Sequence, residues 1–175
     1  MINGVYVWNT RTPFDWAALG GDSRGARWFD FGFEAKRACL ENAHGFQDDE
    51  NILLLSSLSR GPKWLSSAVI ALNRYFNGGA KSLKIPLDWT DYTPFQQSVW
   101  SAAMTVPYGE IRSYSWIAAQ IGSPAATRAA GSALGANPLP VIVPCHRIVR
   151  TDGSLGGFGM GLEMKSRLLE LEQGH

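Results

Sequence analysis

The stretch Pro138-Leu139-Pro140-Val141-Ile142-Val143-Pro144-Cys145-His146-Arg147-Ile148-Val149-Arg150 constrains the chain more than any other. Val141 to Val143 and Ile148-Val149 are apolar and β-branched, so they read as two short buried extended segments on either side of a Cys-His pair. Pro144 fixes its own φ and biases Val143 toward extended geometry, which presents Cys145 on a stiffened backbone. That suits a nucleophile. A thiol reacts as the thiolate, and His146, Arg147 and Arg150 are groups whose charge would lower its pKa. The alternative is an inert buried cysteine, because free Cys is among the most buried residue types.

A chain of 175 residues, 45% hydrophobic and 11% aromatic, has enough apolar material for a real core in one domain or two small ones. No apolar run reaches membrane-spanning length, and Met1-Ile2-Asn3-Gly4 lacks a basic segment followed by an apolar one. No membrane association and a cytoplasmic location are therefore expected. Two cysteines, Cys39 and Cys145, are too few for a disulfide framework. The three histidines, His44, His146 and His175, are too scattered for a zinc site, so no metal is expected. Cys39 reads as core on a helix from Glu34 to Ala43, and Asp48-Asp49-Glu50 as a solvated loop. The glycines of Gly156-Gly157-Phe158-Gly159-Met160-Gly161 do not fit a dinucleotide-binding fingerprint, and no cofactor is expected; they read as backbone that comes close to a ligand. Net charge is only +1, but Ile111 to Thr151 holds four arginines, Arg112, Arg128, Arg147 and Arg150, without an Asp or Glu, a local positive surface suited to phosphate.

Along the chain, Val5 to Trp8 and Trp28 to Phe33 read as strands with a loop around Gly20-Gly21-Asp22 between them. Leu65, Ala68, Val69, Leu72, Tyr75 and Phe76 recur at helical spacing until Gly78-Gly79. Lys81 to Tyr92 read as a strand followed by a linker. The boundary falls near Asp91, giving an N-terminal α/β domain with linker over 1–91 and a mainly helical domain over 92–175. The second opens with a capping box, Thr93 with Gln96 and Pro94 at the first helical position; Phe95, Val99 and Ala103 form its buried face. Ser113 caps a helix to Gln120 that Gly122 ends, and Ser123-Pro124 open another that runs to Ala136, a helix-turn-helix candidate. The second of these is nearly bare, with Ala125, Ala126, Ala129, Ala130, Gly131, Ala133, Gly135 and Ala136 leaving Arg128 as its one long polar side chain. In the final helix Lys165, Leu168, Leu169 and Glu172 share a face, which puts Glu172 at the edge of the core.

Pro144-Cys145-His146-Arg147 closely resembles the active-site signature of the O6-alkylguanine-DNA alkyltransferases, the methylated-DNA–protein-cysteine methyltransferases. The resemblance extends through Thr93-Pro94-Phe95-Gln96, Pro107-Tyr108-Gly109-Glu110, Arg112-Ser113-Tyr114, Arg128-Ala129-Ala130-Gly131, Gly135-Ala136-Asn137-Pro138 and Gly156-Gly157-Phe158, in the family's order, and covers about Leu72 to Glu172. It implies a ribonuclease H-like N-terminal domain, and a C-terminal domain that binds double-stranded DNA through the minor groove and carries the cysteine. It implies a monomer that flips O6-alkylguanine, chiefly O6-methylguanine with O4-methylthymine as a second substrate, and takes the alkyl group irreversibly on Cys145. Tyr114 resembles the residue that crowds the phosphate and contacts the base, and Arg128 the arginine inserted into the stack. Ser113, Ala129, Gly131 and Arg112 fall in the DNA-binding blocks. Asn137 resembles the residue that bridges the two helices to the active-site loop, and His146 with Glu172 the pair that takes the thiol proton. Pro140, Ile148, Gly156, Phe158, Gly159, Met160 and Lys165 would form or flank the pocket. Phe158 and Met160 stand where many relatives carry tyrosine and glycine, so Met160 is expected to restrict bulky alkyl groups.

Two other readings stand beside this one. A cysteine hydrolase would use Cys145, His146 and Asn137, although neighbours in extended backbone point to opposite faces. A non-catalytic alkylated-DNA binder would look similar without a reactive cysteine.

Overall fold

The computed structural model describes residues 5–34, 52–54 and 61–174, and it divides into two compact units, Met1–Asp88 and Trp89–His175. In the first, β1 (Val5–Thr12), β2 (Asp15–Gly21), β3 (Ala26–Phe33) and β4 (Ile52–Leu54) form one sheet in the order β3-β2-β1-β4. β2 runs antiparallel to both β1 and β3, and β4 lies parallel to β1. Thr12 and Asp15 face each other across the first hairpin, whose turn is closed by the Thr12 hydroxyl, accepting from Phe14 N at 3.0 Å and donating to Asp15 O at 2.9 Å.

The helix α1 (Lys63–Phe76) buries Leu65, Ala68, Val69, Leu72, Tyr75 and Phe76, the residues that the helical spacing predicted. Phe76 meets Phe14 and Phe31 with ring centroids 5.2 Å apart, so these aromatics are packing groups.

Two expectations for this unit are corrected. Gly20-Gly21 ends β2 instead of forming a loop. A Cβ at Gly20 would lie 2.2 Å from Trp28 Nε1, and one at Gly21 only 2.1 Å from Gly25 O, so these glycines admit a ring and a backbone that no side chain would tolerate. The strand expected after Lys81 does not form. The segment instead docks through Ala26, which donates to Pro86 O at 2.8 Å and accepts from Asp88 N at 2.9 Å. Asp88 is 4% exposed, and Arg24 reaches its carboxylate at 2.7 Å. Cys39, His44, Asp48-Asp49-Glu50, His175 and the Glu34–Ala43 helix beyond Glu34 lie outside the described residues.

The second unit is mainly helical. α2 (Pro94–Met104) starts with the expected capping box, Gln96 N donating to Thr93 Oγ1 at 3.3 Å and Thr93 N to Gln96 Oε1 at 3.1 Å. It buries Val99, Trp100 and Ala103, whereas Phe95, expected inside, is 37% exposed. Trp100 Nε1 donates to Ala133 O at 2.8 Å, which ties α2 to α4 (Thr127–Gly135). α3 (Tyr114–Gln120) is capped by the Ser113 hydroxyl, which accepts from Trp116 N at 3.1 Å. The turn after it passes through a short 3-10 piece, Pro124–Ala126, so α4 proper starts at Thr127, later than Ser123-Pro124 suggested. β5 (Arg112–Ser113) pairs in parallel with β6 (Ile148–Val149), which brings the base of α3 beside the cysteine loop. α5 (Leu162–Gln173) buries Lys165, Leu168, Leu169 and Glu172, the predicted face.

Val141 to Val143 are buried as expected but not extended. Val143 N donates to Leu139 O at 2.8 Å, closing a turn with Val141 at φ 72°, a sterically costly value for a β-branched residue. Among the described residues no helix is long and apolar enough to cross a membrane.

Candidate active site

Cys145–Arg147 is a single 3-10 turn, with Arg147 N donating to Pro144 O at 3.0 Å. The extended backbone expected on both sides of the cysteine is found only after it, in β6. At three residues per turn successive side chains leave about 120° apart, so Cys145 turns one way while His146 and Arg147 reach another partner. The strained loop before it is clamped by Asn137. Its side-chain amide donates to Val143 O at 3.1 Å and to Cys145 Sγ at 3.2 Å, and its Oδ1 accepts from Leu139 N at 3.0 Å. One residue just past α4 thus fixes both the loop and the thiol.

Glu172 collects the other two side chains of the turn. His146 Nε2 lies 2.9 Å from Glu172 Oε1. Arg147 donates from Nε to Oε2 at 2.9 Å and from a terminal nitrogen to Oε1 at 2.8 Å. Gly109 N adds a fourth contact at 3.0 Å. A buried carboxylate is tolerated when paired and hydrogen-bonded, and this one is both. Burial, the largest influence on His146, pulls its pKa below the ordinary histidine value despite the attraction of Glu172, so the ring is neutral near pH 7.

Cys145 opens onto a cavity of about 600 Å³ whose wall includes Tyr114, Arg128, Gly131, Gly156, Phe158 and Gly159. Burial pushes the thiol up from its ordinary value, opposed by the Asn137 amide and the Lys165 cation. Arg147, expected to lower it, is instead engaged with Glu172. Lys165 is fully buried, and its ammonium donates to Ile148 O at 2.6 Å, to Leu155 O, and to Gly157 O at 3.4 Å, holding the 148–157 loop. Gly156, at φ 67°, lies so close to Tyr114 that a Cβ there would be 2.8 Å from the phenol oxygen. Burial also raises the Tyr114 pKa, so the phenol stays protonated and available as a donor.

Of the residues expected to form or flank the pocket, Gly156, Phe158 and Gly159 line the cavity together with Cys145, whereas Pro140, Ile148, Met160 and Lys165 are not in its wall. Lys165 and Ile148 act one layer back, joined through the Ile148 carbonyl. The cavity adds Thr127, Ser132, Leu134 and Gly135, which recur with Arg128 and Gly131 at three- and four-residue steps on one side of α4. That spacing was the signal available to find them.

The positive surface is smaller than the arginine count suggested. Arg112 pairs with Glu110 at 2.6 Å and Arg147 with Glu172, leaving Arg128 and Arg150, both in the cavity wall. Ser113 serves as the cap of α3, and Ala129 is exposed on α4.

Residues 94–174 match the family model described as 6-O-methylguanine DNA methyltransferase, DNA binding domain. The methylated-DNA–protein-cysteine methyltransferase of Mycobacterium bovis is 51% identical over 112 residues, 64% of this chain and 67% of that protein. Its namesake from Methanosarcina barkeri is 35% identical over 162 residues, 93% of each chain. The crystal structure of Mycobacterium tuberculosis OGT in complex with DNA superposes with a TM-score of 0.79 at 36% identity, covering 97% of this chain and 93% of that one. A likeness that runs almost from end to end, in sequence and in fold, makes this chain a member of the methylated-DNA–protein-cysteine methyltransferase family.

Proposed function

We propose that this chain repairs alkylated DNA by moving the alkyl group from O6 of a guanine onto its own Cys145, once per molecule. The observation that carries the reading is the two-sided cysteine turn: Cys145 faces a cavity of about 600 Å³, while His146, next to it, is tied to buried Glu172 at 2.9 Å. The volume is of the size that ordinarily holds a small-molecule ligand, ample for a nucleobase.

O6 of guanine is inaccessible to a protein thiol inside a stacked duplex, so the nucleotide must be turned out. α3 and α4 act as a helix-turn-helix, with Arg112 and Ser113 at its base. The exposed small residues of α4, Ala129 and Gly135 among them, suit the minor groove, only about 6 Å wide before it is opened. Arg128, exposed beside the cavity, fills the gap left in the stack, and Tyr114 crowds the phosphate.

For the transfer, a neutral His146 with its Nε2 hydrogen directed at Glu172 keeps a lone pair on Nδ1, which accepts the Cys145 proton through water. Asn137 donates to the developing thiolate, as it already does to the thiol at 3.2 Å. The sulfur–carbon bond forms as the carbon–O6 bond breaks, and that electron pair leaves on the guanine. Tyr114 and the Gly159 amide donate hydrogen bonds to the departing base, which takes up a proton, while His146 returns its own to solvent. O6-methylguanine is the chief substrate.

We assign this chemistry to a C-terminal domain, 92–175, acting as a monomer, with 1–91 as an N-terminal α/β domain. The order β3-β2-β1-β4 with β4 parallel to β1 supports a ribonuclease H-like architecture for that domain. A hydrolase is disfavoured because Asn137 contacts the sulfur and the loop rather than orienting His146.

Limiting protein mixed with excess duplex carrying labelled O6-methylguanine should give one burst that approaches one label per chain, all on Cys145, since a thioether has no carbonyl for water to attack. Turnover beyond that point would reject the assignment and restore the hydrolase.

A further inference from the structure

Two arginines of the basic segment lie in the cavity wall, and the mechanism above uses only Arg128. Arg150 follows β6 directly and opens a tight turn: its N donates to Ser154 O at 2.8 Å and its carbonyl accepts from Gly153 N at 2.9 Å. The turn is stiffened from inside by Asp152, whose Oδ1 accepts from Ser154 N at 3.0 Å and from the Ser154 hydroxyl at 2.7 Å. The guanidinium is therefore carried by a built turn at an exposed position, and it shares the cavity wall with Tyr114, Cys145 and Arg128. Its charge is felt by the Tyr114 phenol, whose pKa it lowers against the effect of burial, and by the Asp152 carboxylate. Arg112 and Arg147, the other two arginines of the segment, are engaged with Glu110 and Glu172.

A nucleotide that sends its base to Cys145 leaves its own phosphate at the mouth of the cavity, beside Tyr114. A guanidinium presents a planar fork of donors that matches phosphate oxygens two at a time, and it keeps its charge at any working pH. We propose that Arg150 is a second DNA-contacting arginine, which grips the backbone phosphate of the extruded nucleotide and so positions the base for Cys145, while Arg128 works on the stack. This inference rests on the repair reading above.

The test compares wild type, Arg150→Ala and Arg150→Lys on a short duplex with one O6-methylguanine and on the free base O6-methylguanine. Arg150→Ala is expected to slow transfer from the duplex about tenfold, the effect of one charge-assisted contact. Its rate with the free base and its thermal stability should be unchanged. The slope of log affinity against log salt should fall by about one phosphate contact, and Arg150→Lys should restore that slope with only part of the rate. Replacing the lesion phosphate by an uncharged methylphosphonate should slow wild type as much as Arg150→Ala does and slow the variant no further. An unchanged salt slope, equal losses on duplex and free base, or a methylphosphonate effect that adds to Arg150→Ala would each overturn the assignment. Wild type that moves no methyl group from the duplex to Cys145 would instead overturn the repair reading, before any variant is compared.

Discussion

Lys165 and Glu172 lie two turns apart on the same buried face of α5, 0% and 6% exposed, yet they are kept inside in opposite ways. Glu172 is met by a cation, Arg147, through two contacts of 2.8 and 2.9 Å, and by His146 and Gly109 N besides. Lys165 is met by dipoles, the carbonyls of Ile148, Leu155 and Gly157, with the Tyr114 ring 5.8 Å away. The consequence shows in its pKa, which desolvation pulls down to about 8, while the opposing attraction of a Cys145 thiolate offsets only part of that. Compensated charge locks the side of the site that orients His146. A titratable latch holds the loop that walls the cavity.

Glu172→Gln should have the largest effect. It leaves the Arg147 guanidinium buried opposite a neutral amide, a loss of about 3 kcal/mol in stability, readable by denaturant unfolding, together with most of the transfer rate. Adding Arg147→Met, which removes the stranded cation, should recover part of the stability and none of the rate. Recovery of both would mean that Glu172 matters only as packing. Lys165→Met comes next: three carbonyls lose their donor, for about 2 kcal/mol. If this variant lost more stability than Glu172→Gln, the contrast between the two charges would be wrong. Gly156→Ala tests the latched loop itself, since a positive φ and a Cβ 2.8 Å from the Tyr114 oxygen must both be accommodated. It should lose about 1 to 2 kcal/mol and slow transfer. A variant as fast and as stable as wild type would show that the loop is not held against Tyr114.

What was legible in the sequence follows the reach of each interaction. The Thr93/Gln96 capping box is local, so three residues announce it; the buried face of α5 is periodic, so Lys165 and Glu172 could be placed on it before their partners were known. β2 was missed because Ala17, Ala18, Gly20 and Gly21 have little strand preference of their own and are chosen for what crosses over them, Trp28 and Gly25. The cysteine turn was misread because β-branched flanks signal extension, whereas Asn137 and Val141 impose a tight turn on the loop that precedes it. The arginine cluster was overcounted because Glu110 lies just outside the segment and Glu172 is distant in sequence. The first lies two residues away and escapes only because of where the segment is cut, whereas the second is invisible to a local count.

The smallest effect is also the most direct test of the contrast. Below about pH 8 Lys165 is charged in the fold and in the unfolded chain, where its ordinary value is 10.5, and the desolvated ammonium weighs against folding throughout that range. Between about 8 and 10.5 the folded chain has released the proton and the unfolded chain still holds it. The unfolded state then binds more protons, so the contribution of this group to stability rises with pH. Cys145 and Tyr114 run the other way, because burial raises both from ordinary values of 9.0 and 10.0, and the fold keeps protons that the unfolded chain gives up. A wild-type stability curve therefore mixes opposed slopes. Lys165→Met retains both acids and lacks the lysine, and losing the cation that lowers the Cys145 pKa pushes the thiol further up, which steepens the variant's decline in the same direction. The margin of wild type over Lys165→Met should widen steadily from pH 8 to pH 10 in matched denaturant titrations. A constant margin would mean that the carbonyl cage holds the ammonium as firmly as Arg147 holds Glu172, and the distinction between lock and latch would fail.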